Sequence, residues 1–272
     1  TKDGTGTLTL SAQNTYTGTT GITAGVVNIR NATALGTTAG NTTVTAGAAL
    51  EIQGGIAVGT EALSLSGSGI GGTGALRSIS GTNSYAGAIT LAGNTEIDSD
   101  ADLLTLSGTI GGTNVNLSFG GAGDITVSNT IAIGTGGIIK DGAGKLTLSG
   151  TGTATGNSSF SGGTVAIGTN NIFSGATGTM TFTNGATLQS ISGNASLARP
   201  ISLGSGGGVF DAGGAITLTG SITGGGGLVK NGGNDLVIVS PGTNTIGNVT
   251  INAGRIFANA PANINGSAVT VN

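Results

Sequence analysis

One short phrase recurs in three widely separated parts of this 272-residue chain, and this self-similarity limits the possible folds more than any other feature. The phrase is a lysine-led glycine turn followed by an alternating apolar segment. Three of the four lysines in the chain stand at its head. The three copies share matching positions: Lys2, Gly4, Leu8 and Leu10; Lys140, Gly142, Leu146 and Leu148; and Lys230, Gly232, Leu236 and Ile238.

Apolar and hydroxyl side chains alternate after each turn with a period of two, as in residues 7–10 and 145–149. This period is typical of a strand with Leu and Ile on one face and Thr and Ser on the other. We therefore predict that the six apolar residues of the three phrases face the core, while Thr7, Thr9 and Thr147 face outward.

Short strands at regular spacing, separated by glycine turns, are typical of a solenoid. The chain contains 57 glycines, and only 7% of its residues are charged and 3% aromatic. A β-sandwich would need more aromatic residues in its core and a more charged exterior. The sequence thus predicts an all-β fold, a β-solenoid of roughly 11–13 coils at about 20–25 residues per coil, with residues 1–272 forming one domain.

Composition excludes several functional classes. Without Cys the chain has no disulfide scaffold and no thiolate metal site, and without His it has no histidine triad. Eight basic residues and a net charge of -3 argue against a nucleic-acid groove. Residues 67–72 fit G-x-G-x-x-G, but no strand–helix unit surrounds them, so we expect no dinucleotide. We expect no cofactor.

The segment 98–102 is the main local concentration of charge, with Asp98, Asp100 and Asp102 at alternate positions. Three carboxylates on one face of an extended segment repel one another unless they are solvated or bind a hard cation such as Ca²⁺. The spacing does not fit a twelve-residue calcium loop, because Leu103 and Thr109 stand where Gly and Glu are needed. We therefore interpret the segment as a solvated loop and keep calcium as the alternative.

Aromatic residues follow the strand phrases at three similar places, occupied by Tyr16, Tyr85 and Phe160. They could form an exposed binding ladder, or they could pack against a neighbouring coil or turn. We favour packing.

The phrases resemble the passenger-associated transport repeats of Gram-negative autotransporters. The resemblance is strong over residues 1–52 and 140–190. It implies a right-handed parallel β-helix at the cell surface or outside the cell, and attachment to the membrane only through a translocator barrel outside these 272 residues. We expect the chain to be a fragment of a longer passenger. Matching residues in the first copy are Lys2, Gly4, Gly6, Thr7, Leu8, Leu10, Ser11, Asn14, Tyr16, Gly18, Thr20, Ile22 and Gly25.

These features predict a structural or adhesive surface rod without enzymatic activity. Its partners would be other copies of itself, bound laterally or end to end, or a host or neighbouring cell surface. Two alternatives stay open: the scaffold of a larger secreted effector, and a β-helix enzyme that processes polysaccharides. The second alternative needs clustered carboxylates, whereas the 11 acidic residues are spread thinly along the sequence.

Overall fold

The computed structural model describes residues 1–168, 172–173, 177–240, 242–259, 263–265 and 268–272. These residues form strands and turns without any helix, so none of them lies in a helix that could cross a membrane. Parallel strands stack as a β-solenoid of about 12 turns. The predicted all-β solenoid is therefore confirmed.

The chain divides into two compact units. The first contains residues 1–136 and 142–145, and the second contains residues 137–141 and 146–272. The single-domain organisation stays a prediction.

The first unit is built from short strands that follow one another at glycine and asparagine turns. Its strands are β1 (Thr7–Leu10), β2 (Thr20–Ile22), β3 (Gly25–Ile29), β4 (Thr42–Val44), β5 (Ala48–Gln53), β6 (Ala57–Val58), β7 (Leu63–Gly67), β8 (Leu76–Ser80), β9 (Asn83–Tyr85), β10 (Ile89–Ser99), β11 (Leu103–Leu106), β12 (Ile110–Gly112), β13 (Leu117–Gly120), β14 (Asp124–Val127) and β15 (Ile131–Gly134).

Parallel pairing arranges the described strands of this unit in three ladders. One runs through β2, β4, β7, β10, β12 and β15. The second runs through β1, β3, β5, β8, β10 and β13. The third joins β6, β9, β11 and β14. Strand β10 is long enough, at 11 residues, to take part in the first two ladders.

The second unit repeats this construction. The remaining strands are β16 (Ile138–Lys140), β17 (Lys145–Leu148, whose first residue belongs to the first unit), β18 (Gly152–Ala154), β19 (Ser158–Phe160), β20 (Thr164–Ile167), β21 (Met180–Phe182), β22 (Ala186–Ser190), β23 (Ala195–Leu197), β24 (Ile201–Leu203), β25 (Gly208–Ala212), β26 (Ile216–Leu218), β27 (Ile222–Thr223), β28 (Leu228–Asn231), β29 (Asp235–Ile238), β30 (Thr243–Thr245), β31 (Val249–Ile251), β32 (Arg255–Ala258), β33 (Asn263–Asn265) and β34 (Val269–Val271).

Its described strands also pair in parallel. The longest ladder joins β20, β22, β25, β28, β31 and β34. A second joins β16, β19, β21, β24 and β27. Strands β23, β26, β29 and β32 form a third, and β30 pairs with β33.

The interior is lined by Leu, Ile and Val at alternate strand positions. Leu146, Leu148, Leu236 and Ile238 are all buried, as predicted. The second unit also buries a stack of aromatic rings, in which the centroids of Phe160 and Phe182 are 5.1 Å apart and those of Phe182 and Phe210 are 5.4 Å apart. At these distances aromatic rings pack favourably.

The burial predicted for the first phrase is wrong. Leu8 is 44% exposed, and Leu10 is only half-buried. The pairing register is the expected one, because Leu8 lies beside the buried Val27 and Leu10 beside the buried Ile29. Correct pairing with β3 therefore does not by itself bury these two side chains.

Candidate functional surface

A row of polar side chains crosses strands β3, β5, β8 and β10 of the first unit. Parallel pairing places Asn28 beside Glu51, Glu51 beside Arg77, and Arg77 beside Asp98. The adjacent strand positions point into the core, so this row points outward. We call these four residues together with Asp100 the charged ladder.

The guanidinium of Arg77 holds the charged ladder together. Its Nε and NH2 atoms donate to the two carboxylate oxygens of Asp100, at 3.1 and 2.6 Å. Its NH1 atom lies 3.4 Å from Oε1 of Glu51, whose other oxygen accepts from Nδ2 of Asn28 at 3.1 Å. The hydrogen bond to Asp100 raises the pKa of Arg77. One guanidinium thus offsets part of the charge of three carboxylates, and the charged ladder keeps a formal charge of -2 (three carboxylates, one guanidinium).

The three aspartates proposed for calcium lie at one end of this ladder. Asp98 is only 6% exposed and belongs to β10, so its interpretation as part of a solvated loop is wrong. The strand continues to Ser99 because it pairs with β8, where Arg77 supplies a compensating charge. Asp102 adopts a φ of 59° and accepts a hydrogen bond from the amide of Gly81 at 2.8 Å.

Protein donors therefore already engage the carboxylates of Asp100 and Asp102. Among the described residues, no group of three or more His, Cys, Asp or Glu side chains is arranged to hold a metal ion. The absence of a metal site stays a prediction, with calcium at Asp98, Asp100 and Asp102 as its alternative.

A second ladder, made mainly of amides, follows β22, β25, β28, β31 and β34 in the second unit. Nε2 of Gln189 donates to Asp211 at 2.7 Å, and Asp211 is the register partner of Asn231. Asn252 then donates to Asn231 at 2.9 Å, and Asn272 donates to Asn252 at 2.7 Å. Stacked amides satisfy one another along the ladder, so this edge presents hydrogen-bonding groups and a single carboxylate.

The lysines that lead the three phrases occupy a common local structure. The register partner of each lysine in the next coil is a large apolar residue: Ile22 for Lys2, Phe160 for Lys140 and Ile251 for Lys230. Lys140 and Lys230 lie on different ladders of the second unit, so the phrases do not combine into one site.

The ammonium group of each lysine turns back onto backbone carbonyls. Lys230 is fully buried, and its Nζ donates to the carbonyls of Asn231 at 2.5 Å, Gly232 at 2.7 Å and Ala253 at 3.1 Å. Lys2 likewise donates to Gly4 and, at 3.0 Å, to Ala24 of the next coil. Lys140 is also buried and donates to Asp141.

A glycine with positive φ receives Lys2 and another receives Lys230. Gly25 and Gly254 both have φ of 69°. A Cβ at Gly25 would lie 2.5 Å from Nζ of Lys2, and one at Gly254 would lie 2.9 Å from Nζ of Lys230. The repeat therefore joins two successive coils through a lysine and the glycine that makes room for it. We call this arrangement the lysine latch.

Burial changes the protonation of several groups in these units. It lowers the pKa of Lys230, against the opposing effect of Asp211 and Asp235. It raises the pKa of Glu61, although Thr42 donates to that carboxyl group at 3.0 Å. It also raises the pKa of Tyr85. Glu61 Oε2 and Tyr85 Oη are buried and have no hydrogen-bond partner among the described residues.

The three aromatic residues do not form one ladder. Tyr85 in β9 and Phe160 in β19 are fully buried, which confirms packing for these two. Tyr16 is 39% exposed, and its hydroxyl lies 2.8 Å from that of Thr20. Its ring nevertheless lies against the next coil, because a Cβ on Gly36 would approach it to 2.8 Å.

Sequence reasoning missed both outward ladders. Asn28 and Glu51 are 23 residues apart, whereas Glu51 and Arg77 are 26 apart, so no fixed period reveals the row. The ladders have no nucleophile–base pair and no open metal set among the described residues. They supply hydrogen-bond donors and acceptors, and most of their polar groups are already paired with a neighbour on the next coil.

Comparison with known proteins gives two findings. Residues 1–29 and 138–167 match the passenger-associated-transport-repeat family. The chain is also similar to the adhesin BmaC autotransporter of Brucella suis biovar 1 (strain 1330), at 29% identity over 232 residues, covering 58% of this chain and 7% of that protein. No solved structure matches the chain.

Proposed function

We propose a structural and adhesive function for this chain, which is an extracellular, cell-surface β-solenoid of the autotransporter passenger type. The chain spans only 7% of the length of the relative named above, so any activity assigned to a whole protein of this kind belongs to the proposal.

The observation that carries the proposal is the chemistry of the outward faces. In the charged ladder, Arg77 pairs with both Glu51 and Asp100, and in the second unit amides hydrogen-bond to one another. A net charge of -3 over 272 residues adds little long-range repulsion. Such faces bind other polar surfaces through many hydrogen bonds, each of which contributes little alone.

The test is binding of the purified chain to cells. Fluorescently labelled chain is applied to host cells and to bacteria that lack their own copy, and binding is measured against concentration. We expect the binding to saturate and to be displaced by unlabelled chain. Heat-unfolded chain should not show this binding. Binding that never saturates, or that the unfolded chain reproduces, would contradict adhesion by the folded surface.

Self-association is the second form of this function, and the same outward faces support it. Sedimentation velocity at tens of micromolar measures it directly, and we expect species larger than the monomer. A single monomeric species would leave adhesion to a foreign surface as the function of these faces.

The small part of the relative that the chain covers favours one alternative, a scaffold that carries an effector located elsewhere in a longer protein. In that case the folded chain alone binds neither cells nor itself. The cell-binding and sedimentation measurements therefore separate the two functions.

A further inference from the structure

An asparagine is followed by a glycine at the lysine latch of the second unit. Asn231 ends β28, and Gly232 begins the next turn with φ of 79°. In an Asn-Gly pair the backbone nitrogen of the glycine can attack the side-chain amide carbon of the asparagine, because glycine has no Cβ to obstruct the approach. The product is a cyclic succinimide, which water opens to aspartate or isoaspartate.

The side-chain amide of Asn231 is polarised by its neighbour in the amide ladder. Nδ2 of Asn252 donates to Oδ1 of Asn231 at 2.9 Å. A donor on this oxygen stabilises the negative charge that develops when a nucleophile adds to the amide carbon, as in an oxyanion hole. Asn252 is itself held in place, because its Oδ1 accepts from Nδ2 of Asn272 at 2.7 Å. The ladder therefore fixes a donor beside the reacting carbon.

Lys230 acts on the peptide bond that supplies the attacking nitrogen. Its Nζ donates at 2.5 Å to the carbonyl oxygen of Asn231, which belongs to the same peptide bond as the nitrogen of Gly232. An ammonium group bound to a peptide oxygen stabilises the anion that forms when the peptide nitrogen loses its proton. The lysine latch therefore favours loss of the proton from the N–H of Gly232.

A carboxylate lies close enough to this peptide to receive the proton. Asp211 is half-buried and is the register partner of Asn231. A Cβ at Gly232 would lie 2.7 Å from Oδ1 of Asp211, so the carboxylate lies against the backbone of Gly232. The other carboxylate oxygen accepts from Nε2 of Gln189 at 2.7 Å, which orients the group. A carboxylate so placed can act as a general base.

The other Asn-Gly pair that the structure describes in full, Asn184-Gly185, has different surroundings. The amide of Gly185 donates to the carbonyl of Gly207 at 3.2 Å, so the nitrogen that would attack is already engaged. A Cβ at Gly185 would meet no atom of the described residues within 4 Å, whereas one at Gly232 would meet a carboxylate. Asn184 therefore serves as a reference within the same molecule.

We propose that Asn231 is a site of spontaneous deamidation promoted by the folded structure. The nitrogen of Gly232 forms a bond to Cγ of Asn231, and the bond from Cγ to Nδ2 breaks. The proton of Gly232 passes through Asp211 to the departing nitrogen, which leaves as ammonia. Water then adds to the succinimide and opens it, and no atom changes its oxidation state.

The product changes the charge of the amide ladder. A carboxylate at position 231 stands beside that of Asp211, and like charges directly opposite one another on neighbouring strands are destabilising. The aspartate product also has the sequence Lys-Asp-Gly of residues 2–4 and 140–142, where the lysine likewise binds backbone carbonyls of its turn. We therefore expect the latch to persist while the ladder loosens.

The test follows deamidation of the folded full chain at neutral pH by peptide mass spectrometry, with fragment spectra that assign the position. Isoaspartate is measured with an isoaspartyl methyltransferase. Asp211→Asn removes the base with little change of shape, and Asp211→Glu keeps a carboxylate. Asp235→Asn is the matched control, because Arg255 already binds the carboxylate of Asp235, at 3.0 and 3.2 Å. Hydrogen exchange at residues 230–234 reports whether the local structure is retained.

We expect Asn231 to deamidate faster than Asn184 in the folded chain, and both to react at similar rates in guanidinium chloride. Asp211→Asn should slow the reaction at Asn231 by about tenfold or more, as for the loss of a general base. Asp211→Glu should keep most of the rate, and Asp235→Asn should leave it unchanged. Folded chain in which Asn231 reacts no faster than Asn184 would overturn the proposal. An unchanged rate in Asp211→Asn with native hydrogen exchange would also overturn it.

Discussion

Replacing Lys230 by methionine tests whether the lysine latch stabilises the second unit. The substitution keeps an unbranched apolar side chain in the buried position and removes only the ammonium group. In the wild type this group donates to three carbonyls, those of Asn231, Gly232 and Ala253. The variant leaves these acceptors without their charged donor.

The magnitude follows from two opposing contributions. Each buried carbonyl that loses its donor costs about 1–3 kcal/mol. Removing the ammonium also removes the cost of burying a charge, which amounts to several kcal/mol. The balance predicts a loss of about 2–4 kcal/mol in the free energy of unfolding.

The assay is urea unfolding followed by circular dichroism, with hydrogen exchange at the amides of residues 252–254 as a local measurement. Lys145→Met is the matched control, because Lys145 is only half-buried and its loss should change stability by less than about 0.5 kcal/mol. We expect faster exchange at residues 252–254 only in Lys230→Met. Equal stability and equal exchange in the two variants would refute a stabilising latch.

Three further results are expected. Leu148→Ala should lower the free energy of unfolding by about 2–5 kcal/mol because Leu148 is buried. Leu8→Ala should lower it by under about 1 kcal/mol because Leu8 is 44% exposed. Equal losses in urea unfolding would contradict this difference in burial. Burial raises the pKa of Glu61 above its ordinary value of 4.5, so the protonated form adds stability at low pH, and this stability is lost as the pH rises through the raised pKa. The melting temperature should therefore favour Glu61→Gln over the wild type by a margin that grows from acid to neutral pH. A constant difference between the two proteins would refute this. EDTA should leave the melting temperature unchanged, and a large fall restored by Ca²⁺ would assign a structural cation to residues 98–102.

Periodicity predicted the fold and most of the core because both depend on local alternation. Leu146 and Leu236 point inward as any alternating strand requires once one face is buried. Leu8 obeys the same alternation but is 44% exposed, because burial depends also on contacts between coils, which local sequence does not encode. The Phe160–Phe182–Phe210 stack depends on register across coils and was equally hidden.

The outward surface was harder to predict for a related reason. Asn28, Glu51 and Arg77 become neighbours only when the length of each coil is known, and those lengths differ. The bulge of β10, where three residues after Leu91 stand opposite one residue of β7, likewise depends on pairing between coils. Neither feature has a sequence motif of its own.

The lysine latch gives a physical reason for the length of the family repeat. The matched segment 1–29 contains both Lys2 and Gly25, the two halves of a contact that spans two coils. The segment 138–167 contains Lys140 and, 23 residues later, Gly163, whose φ is also positive at 61°. A repeat of one coil would hold only the lysine or only its glycine.

The phrase at Lys230 lies outside the two matched segments, yet its lysine makes the same contact with the next coil. Its turn reads Asn231-Gly232 in place of Asp-Gly, and its register partner is Ile251, an apolar residue as in the other two phrases. The parts that persist are the buried lysine, the carbonyls it binds and the glycine with positive φ. These are the parts that the geometry of the contact requires, because the ammonium needs acceptors on both coils and any Cβ at Gly254 would obstruct it. Coupling of successive coils therefore constrains the repeat more tightly than the identity of its turn residues does.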